Sequence, residues 1–390
     1  MSSLIRKSLH HLRSAIRASS PTHHHNLYFL QIHRSFSSSS IEATPNQHSF
    51  TVNYLINSCG LPLEKALSLS KQVKFETPHK PDSVLALFEN HGFTKTQISN
   101  LVMKFPRVLL CDPDKTLLPK LEFFKSKGIS STDVAKMLSS APKVLDRSLR
   151  NQIIPSFNFY RNLIQSQDET ILAIKRCCWL LLLDPEACVP NIEFLREVGM
   201  PNEKIFVLLR YICRSRGFMS NVVTFRRIVV EVEEMGFNPC KLNFVLAIHV
   251  LKSISKSTWG KKVEVYKKWG WSEDEILAAF GKHPVFMTVS ENKIMRMMDF
   301  FVNKIGWKSS LIARKPVLVS LSLEKRIVPR WAVYEVLLSK GLIKNNNNSF
   351  INMLVSTEKC FLKKFVNCHE EEAPELLQLY KEKLALAKQL

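Results

Sequence analysis

The residues whose chemistry stands out in this sequence are its cations. The 390-residue chain has 55 Lys and Arg against 34 Asp and Glu, which gives a formal net charge of +21 at pH 7. Ammonium and guanidinium groups bind phosphate oxygens, and the planar guanidinium does so with two parallel hydrogen bonds. The excess therefore indicates a polyanionic partner, although net charge by itself says nothing about the fold.

Most of this excess lies between residues 201 and 344, which hold 25 cations and 12 acids. We expect phosphate contacts from the cations beside interruptions in the helical pattern, because stacked repeats would align those interruptions in a row. The alternative is a solvated surface, where Lys and Arg usually lie. The candidate nucleic-acid-binding residues are Arg107, Lys143, Arg147, Arg176, Arg214, Arg216, Arg226, Arg227, Lys282, Arg314, Lys315, Lys325, Arg326 and Arg330.

Aromatic residues in the same basic half could stack on unstacked bases. Trp259 is the candidate for base stacking, because Lys256, Lys261 and Lys262 lie close to it in the sequence. The alternative for any aromatic residue at helical spacing is packing in the core.

Residues that could support catalysis are scarce. The sequence has no Walker loop, no GxSxG, no HExxH, no paired-carboxylate motif and no CxxC pair. Cys360 with Cys368 and His369 could form half of a metal site, but their spacing is not diagnostic, and Cys177 and Cys178 fit core packing better. The sequence therefore predicts no enzyme, no cofactor, no metal site and no small-molecule substrate.

Residues 1–41 contain five cations and no acid, and apolar residues recur in them at helical spacing. An acid-poor, Arg- and Ser-rich amphipathic segment is typical of an organelle transit peptide, so residues 1–41 are predicted to be one. Residues 34–37 (RSFS) resemble an arginine-guided processing site, which favours the mitochondrion, with the chloroplast as the alternative. No run approaches the roughly 18 apolar residues of a membrane span, and we expect no membrane partner.

An internal repeat determines which elements position these residues. Seven glycines recur at intervals of 34 to 37 residues, apart from one interval of 71 residues that spans two repeats. Each follows an amphipathic stretch, where a helix needs a left-handed residue to end. The missing marker is predicted near residues 163–165. The glycines are Gly92, Gly128, Gly199, Gly236, Gly270, Gly306 and Gly341.

Prolines also recur at two fixed positions within the same repeat. One set ends the second helix of each repeat, because proline lacks a backbone donor and clashes with the preceding turn. Another proline follows about 13 residues later, and Cys178 occupies the first proline's position in the third repeat. The first set is Pro106, Pro142, Pro284 and Pro316, and the second set is Pro119, Pro155, Pro190 and Pro329.

Repeats of two or three short helices bury their apolar faces only by stacking. The sequence therefore predicts an all-α fold, a curved or right-handed α-solenoid of helical repeats about 35 residues long. The predicted organisation is a transit peptide at 1–41, an N-terminal helical cap at 49–82, repeats at 83–344, and a linker with a C-terminal helix at 345–390. Residues 345–348 are the predicted linker, and residues 228–232 are the one stretch that could form a strand.

The chain resembles the plant members of the mitochondrial transcription termination factor family over residues 49 to 380. The matching segments include the Pro-x-x-Leu helix ends, and the match weakens at residues 213–216, where proline is absent. The segments are 49–56 (SFTVNYLI), 59–61 (CGL), 81–88 (PDSVLALF), 91–94 (HGFT), 314–318 (RKPVL), 323–330 (LEKRIVPR), 361–365 (FLKKF) and 374–377 (PELL).

This resemblance implies a helical superhelix that binds double-stranded DNA or RNA inside an organelle, as a monomer. It also implies a role in transcription termination or regulation, or in RNA processing and intron splicing. A protein-binding helical scaffold is the alternative, since a period of about 35 residues also fits such arrays.

Overall fold

The fold is helical throughout the part of the chain that the structure describes. A computed structural model describes residues 49–212 and 221–387. These residues form only helices, turns and loops and contain no strand, which confirms the predicted all-α class. Residues 228–232 lie within an α-helix. The predicted transit peptide at residues 1–41 lies outside the described residues.

Two compact units make up the chain, residues 1–227 and residues 228–390. The α-helices of the first unit are α1 (Phe50–Asn57), α2 (Leu63–Leu69), α3 (His79–Asn90), α4 (Lys95–Lys104), α5 (Leu118–Ser126), α6 (Ser131–Ser140), α7 (Ile154–Ile164), α8 (Gln167–Arg176), α9 (Pro185–Glu197), α10 (Asn202–Ile212) and α11 (Val222–Glu234), within which the division falls. The predicted boundary between cap and repeats at residue 83 lies inside α3.

The second unit has the same alternation of helices. Its α-helices are α12 (Leu242–Ser253), α13 (Lys256–Lys268), α14 (Glu273–Lys282), α15 (Glu291–Asp299), α16 (Ser309–Arg314), α17 (Val317–Ser320), α18 (Val328–Ser339), α19 (Asn347–Val355), α20 (Glu358–Phe361) and α21 (Leu376–Leu386). Five repeats consist of a first helix, a left-handed turn residue, a second helix, a break and a short helix, whereas α12 and α19 are followed within two residues by the N-cap of the next helix.

The glycine turns confirm the predicted period. All seven marker glycines have φ between +70° and +87°, the left-handed conformation that ends a helix with least strain in glycine. In the repeat without a marker glycine, Gln165 takes this position with φ +59°, and it is the one described residue other than glycine with a positive φ. The missing marker therefore lies within the predicted residues 163–165.

At the breaks, the second helix ends two residues before the proline, or before Cys178 in the third repeat, so that one residue separates them. This preceding residue has φ between −152° and −127° and ψ between +58° and +77° at all five breaks. Proline disfavours the α conformation in the residue before it, and Cys177 adopts the same geometry before Cys178, which occupies the proline's position in the sequence pattern. The short helices that follow are Pro106–Leu110, Pro142–Val144, Cys178–Leu182, Pro284–Thr288 and Val317–Ser320.

The second set of prolines lies within the first helices. A single π-helical turn precedes Pro119, Pro155 and Pro329, each of which is the second residue of its α-helix. A π turn widens the backbone hydrogen-bond ring, and a proline just after it has no N–H to leave unsatisfied. Pro190 lies inside α9.

Polar N-caps define where each first helix begins. From residue 112 onwards, the first helical segment of each repeat begins at a Ser, Thr, Asp or Asn. The side chain of this residue accepts a hydrogen bond from a backbone N–H of the first turn. Such caps satisfy donors that have no partner inside the helix. The N-caps are Asp112, Ser148, Asp184, Asn221, Ser255, Ser290, Ser322 and Thr357.

The C-terminal region departs from the prediction. Asn346 is the N-cap of α19, and residues 347 and 348 are helical, so the predicted linker at 345–348 is wrong. Asparagine is a strong capping residue, and in sequence a run of it resembles a linker. The repeat pattern continues past residue 344, and the predicted C-terminal helix is present as α21, which packs against α18.

Candidate nucleic-acid interface

Six of the predicted cations lie at the helix breaks and are exposed to solvent. Arg176 and Lys282 are the last residues of α8 and α14, and Arg314 is the last residue of α16. The others follow a helix end by one to three residues. We call these residues the break cations: Arg107, Lys143, Arg176, Lys282, Arg314 and Lys315.

The break positions them through helix geometry. The last four carbonyls of an α-helix lack intrahelical partners, and the C-terminal end of the helix is electronegative. A cation there is stabilised by the helix and extends into solvent, while the proline or, in one repeat, the cysteine at the break is buried. Helix-end stabilisation and phosphate binding are compatible, since both use the same exposed charge.

In the first unit, the breaks lie along one edge. Second helices of consecutive repeats pack directly, α4 against α6 and α6 against α8. Packed helices are about 8–10 Å apart. Lys104 Nζ donates to the Ser139 carbonyl at 3.2 Å, and Lys175 pairs with Asp133 at 2.5 Å, so neighbouring repeats are also joined by polar contacts. These contacts place Arg107, Lys143 and Arg176 in sequence along that edge.

The second unit shows the same arrangement for one pair of second helices. Helix α14 packs against α16, so Lys282 lies in the repeat next to Arg314 and Lys315. Asn243 Nδ2 donates to the carbonyls of Gly281 and Lys282 at 3.0 and 3.1 Å, which occupies helix-end carbonyls and leaves the Lys282 ammonium exposed.

Within the described residues, the ion pairs involve other cations, including Lys175, which is the neighbour of Arg176 and pairs with Asp133. Lys267 pairs with Glu264 and Glu273, Arg296 pairs with Glu324, and Lys340 pairs with Glu375. None of the break cations pairs with a described acid. Their charge therefore remains available for an anion from solution.

The other predicted cations occupy varied environments. Arg226 is exposed and lies over the Phe194 ring at 4.8 Å, and Arg227 is exposed on the same helix. Arg147 is half-buried, and its buried Nε has no acceptor among the described residues. Lys325 is exposed in a π turn. These four residues remain candidates for the interface.

Arg214 and Arg216 lie outside the described residues. They belong to the segment where proline is absent from the sequence pattern. Their role stays a prediction from the sequence.

Arg330 does not lie on the surface, which corrects the expectation for this residue. Its side chain is 2% exposed. Its Nη1 donates to the carbonyls of Met353 at 2.6 Å and Ser356 at 2.8 Å, and its guanidinium lies 4.5 Å from the Phe361 ring centre. A phosphate on the surface is out of its reach.

Arg326, like Arg330, donates its hydrogen bonds to backbone carbonyls. Its Nε donates to the Leu354 carbonyl at 2.8 Å, and its Nη2 donates to Val355 and Ser356. These carbonyls form the C-terminal end of α19, which lacks intrahelical donors and favours a cation. Arg326 is half-buried and committed to this helix end, so we leave both arginines out of the proposed interface.

A set of buried polar residues at one repeat position was missed by sequence reasoning. Its members lie seven or eight residues after the N-cap of the first helix, and four of the five directly follow the second proline of the repeat. This spacing from the N-cap and from the proline is the sequence signal that could have identified the set. The residues are Lys120, Ser156, Asn191, Lys262 and Arg330, all of them buried.

Four of these side chains join the first helix of a repeat to a later part of the same repeat. Lys120 Nζ donates to the Leu145 carbonyl, and Lys262 Nζ donates to the Met287 carbonyl at 2.6 Å. Ser156 Oγ donates to the Leu183 carbonyl at 3.2 Å. These three acceptors lie in or just after the short helix of the same repeat, and Arg330 donates to the C-terminal end of α19, the second helix of its repeat. Burial lowers the pKa of Lys120 and of Lys262.

Trp259 lies partly in the core. Its ring is half-buried and meets Phe280 edge to face at 5.0 Å and 88°. Trp271 and Trp307 are buried and stack on Tyr266 and Phe301. Trp259 therefore keeps some exposed ring area, while Trp271 and Trp307 are core residues.

The cysteines do not gather into a site within the described residues. Cys178 is buried, and burial raises the pKa of its thiol. In that part of the chain, no three His, Cys, Asp or Glu side chains come close enough together to hold a metal ion. Cys360 is half-buried and Cys368 is exposed.

The fold and its edges define a class of protein. Helical repeats of about 35 residues, with buried donors inside them and exposed cations at their breaks, form an α-helical repeat array with a basic surface. The family comparison agrees with this class: the mTERF model matches residues 85–298 and 287–362. The chain belongs to the mTERF family, whose members are organellar, non-enzymatic helical-repeat proteins that bind nucleic acid.

A comparison with curated proteins found no match. Among the described residues, none of the helices has both the length and the apolar character that crossing a bilayer requires.

Proposed function

We propose that this protein regulates organellar gene expression by binding double-stranded DNA or RNA through its break cations. Transcription termination, other regulation of transcription, and RNA processing with intron splicing are the roles this binding would serve. The observation that carries the proposal is the recurrence of exposed cations at the helix breaks, unpaired with described acids. Phosphate contacts of this kind position a protein on nucleic acid without reading bases.

The test is retention on duplex DNA and on RNA across a salt series, comparing the full chain with two triple variants. Lys282→Glu, Arg314→Glu and Lys315→Glu together should weaken binding at least tenfold, because they reverse neighbouring charges in the second unit. Lys359→Glu, Lys363→Glu and Lys364→Glu are the matched control, since they make the same charge change at exposed C-terminal positions. Equal loss in both variants would contradict the placement of the interface.

Salt dependence measures how many phosphates are neutralised. With about 6 to 8 cations on phosphate, affinity for duplex DNA should fall by about three to four decades between 50 and 200 mM salt. Salt-insensitive binding, or no binding to either nucleic acid, would instead favour a protein-binding scaffold. Comparing DNA with RNA in the same series identifies the preferred target.

We also propose that residues 1–41 direct the protein to the mitochondrion, and that it acts there as a monomer. The acid-free, Arg- and Ser-rich composition supports a targeting role. A fluorescent protein carrying residues 1–41 at its N-terminus should accumulate in mitochondria. Accumulation in chloroplasts would favour the alternative organelle, and a diffuse signal would contradict the targeting role.

A further inference from the structure

A cavity of about 550 Å³ opens within the second unit among α16, α18 and α19. Its volume falls within the range of about 300–1,000 Å³ that is typical of small-molecule sites. Of the break cations, Arg314 alone lines it. The phosphate contacts proposed above therefore do not account for the cavity as a whole.

Aromatic rings form its inner wall. Trp331 is half-buried, with its ring 5.1 Å from Phe350 and 5.7 Å from Tyr334 between centres. The Trp331 indole N–H is buried and has no acceptor among the described residues, whereas the Trp271 indole N–H donates to Ser309 Oγ at 2.8 Å. A buried donor without an acceptor costs free energy, which an acceptor on a ligand would recover. The wall thus suits a flat ligand that carries a hydrogen-bond acceptor.

The rim of the cavity is cationic. Lys308 and Arg314 line it and are exposed, and none of the described residues that line it is acidic. Neither cation forms an ion pair with a described acid. The rim therefore favours an anionic group on the ligand.

The donors at the rim suit a carboxylate better than a phosphate. The N-terminus of α19 lies at the cavity, but the Asn346 N–H donates to Tyr334 Oη at 3.2 Å and the Asn348 N–H donates to Asn346 Oδ1 at 2.9 Å. With these two donors taken, the helix end offers few free N–H groups of the kind that hold a phosphate. The planar guanidinium of Arg314 matches the two oxygens of a carboxylate.

The cavity of similar size in the first unit has different chemistry. It measures about 590 Å³, has no aromatic side chain in its lining and includes Glu89. A carboxylate in the lining disfavours an anionic ligand, and without a ring there is no flat surface to pack against. The combination of rings with unopposed cations therefore belongs to the cavity of the second unit.

We propose that this cavity binds a small aromatic carboxylate, with its ring against Trp331 and its carboxylate on Arg314. The bound ligand withdraws Arg314 from the break cations and so weakens nucleic-acid binding. The ligand site stands on the cavity alone, whereas its effect on nucleic acid rests on the proposed function.

The test of the site is a calorimetric titration of the full chain with quinoline-2-carboxylate, a planar molecule that carries a carboxylate and a ring-nitrogen acceptor. Binding should be saturable. Quinoline-2-carboxamide has the same ring system without the charge, and it should bind at least tenfold more weakly because hydrogen bonds to charged groups are the stronger ones.

Two pairs of variants locate the site. Arg314→Gln should weaken binding of quinoline-2-carboxylate at least tenfold, and Lys315→Gln is the matched control, because it removes the same charge from a neighbouring residue that does not line the cavity. Ser310→Trp should also abolish binding by filling the cavity that Ser310 lines, while Ser310→Ala should retain it. Circular dichroism should show that all four variants remain folded.

Three results would overturn the ligand site. They are no saturable binding at millimolar quinoline-2-carboxylate, equal affinity for the carboxamide, and equal losses in Arg314→Gln and Lys315→Gln. None of these measurements involves nucleic acid, so they are independent of the proposed function.

The effect on the interface is measured by retention on duplex DNA across the salt series. Saturating quinoline-2-carboxylate should reduce the salt slope of the wild-type chain by about one, since one phosphate contact is lost, and should leave that of Arg314→Gln unchanged. An unchanged slope in the wild-type chain would overturn the effect on the interface. Ligand binding without any retention of nucleic acid would overturn this effect together with the proposed function, and would support the ligand site.

Discussion

Lys325 and Arg330 lie five residues apart and have opposite roles. Lys325 is exposed at a helix turn, while Arg330 is buried against carbonyls 23 to 26 residues further along the chain. A guanidinium can donate to helix-end carbonyls as well as to a phosphate, and a buried guanidinium that lacked such acceptors would cost free energy. The type of a residue therefore does not identify its partner.

Arg330→Met should lower the free energy of unfolding by about 3 kcal/mol, because the carbonyls of Met353, Leu354 and Ser356 lose a buried donor. Lys325→Met should leave stability unchanged within about 0.5 kcal/mol. It should reduce the salt slope of nucleic-acid binding by about one. Urea unfolding and a salt titration of both variants measure the two effects. A stable Arg330→Met protein with weakened binding would contradict the structural role of Arg330.

At the scale of helices, the repeat depends on a left-handed residue after each first helix. Gln165 fills this position where the other repeats have glycine. A left-handed conformation costs a residue with a side chain about 1–2 kcal/mol, and replacing that residue by glycine removes this cost. Part of the gain in stability is offset, because glycine is more flexible in the unfolded chain.

Gln165→Gly should therefore raise the stability of the first unit by about 0.5–1 kcal/mol. Lys127→Gly is the control, because Lys127 has φ −88° and lies one residue before the marker Gly128. There, glycine adds unfolded-state freedom and also removes the Lys127 ammonium from the Phe123 and Phe157 rings, so it should destabilise. Thermal unfolding of the two variants gives opposite shifts if the turn is strained, and a loss of stability in Gln165→Gly would contradict the strain.

Buried donors within each repeat explain how its helices pack together. Lys120, Ser156 and Lys262 each satisfy a carbonyl at the break of their own repeat, and Arg330 satisfies carbonyls at the C-terminal end of α19. Helical hydrogen bonding stops at these places, which leaves carbonyls that the first helix of the repeat can satisfy. The breaks serve both the packing of the array and the exposure of its cations.

At the scale of the whole molecule, the C-terminal segment completes the last repeat of the second unit. Phe350, Leu354, Phe361 and Tyr380 are buried, and the carbonyls that bind Arg330 come from the same segment. Removing it would expose apolar surface and a guanidinium whose partners are gone.

A chain ending at Lys344 should therefore have a lower melting temperature and lower solubility than the full chain. A chain ending at Ala387 is the control and should match it, because the described part of the segment is kept. Differential scanning fluorimetry and sedimentation compare the three proteins. An unchanged melting temperature for the shorter chain would contradict the completing role of residues 345–387.

The period, the helix ends and the helical class could be predicted from the sequence, because they depend on local physics. A marker glycine favours positive φ, a proline lacks an N–H, and both effects act on residues next to them. The left-handed residue at Gln165 and the break before Cys178 were predicted from the period even where the glycine and proline are missing. Family membership followed from the same motifs.

Only the tertiary structure decided which cations face solvent. Arg314 and Arg330 are both arginines near prolines, yet Arg330 is buried because carbonyls far along the chain reach its guanidinium. The end of α19 that supplies them lies beyond a run of asparagines that resembled a linker. The sequence alone determined a basic helical-repeat protein of a particular period. The partners of its charges depended on contacts between repeats, which local sequence patterns do not specify.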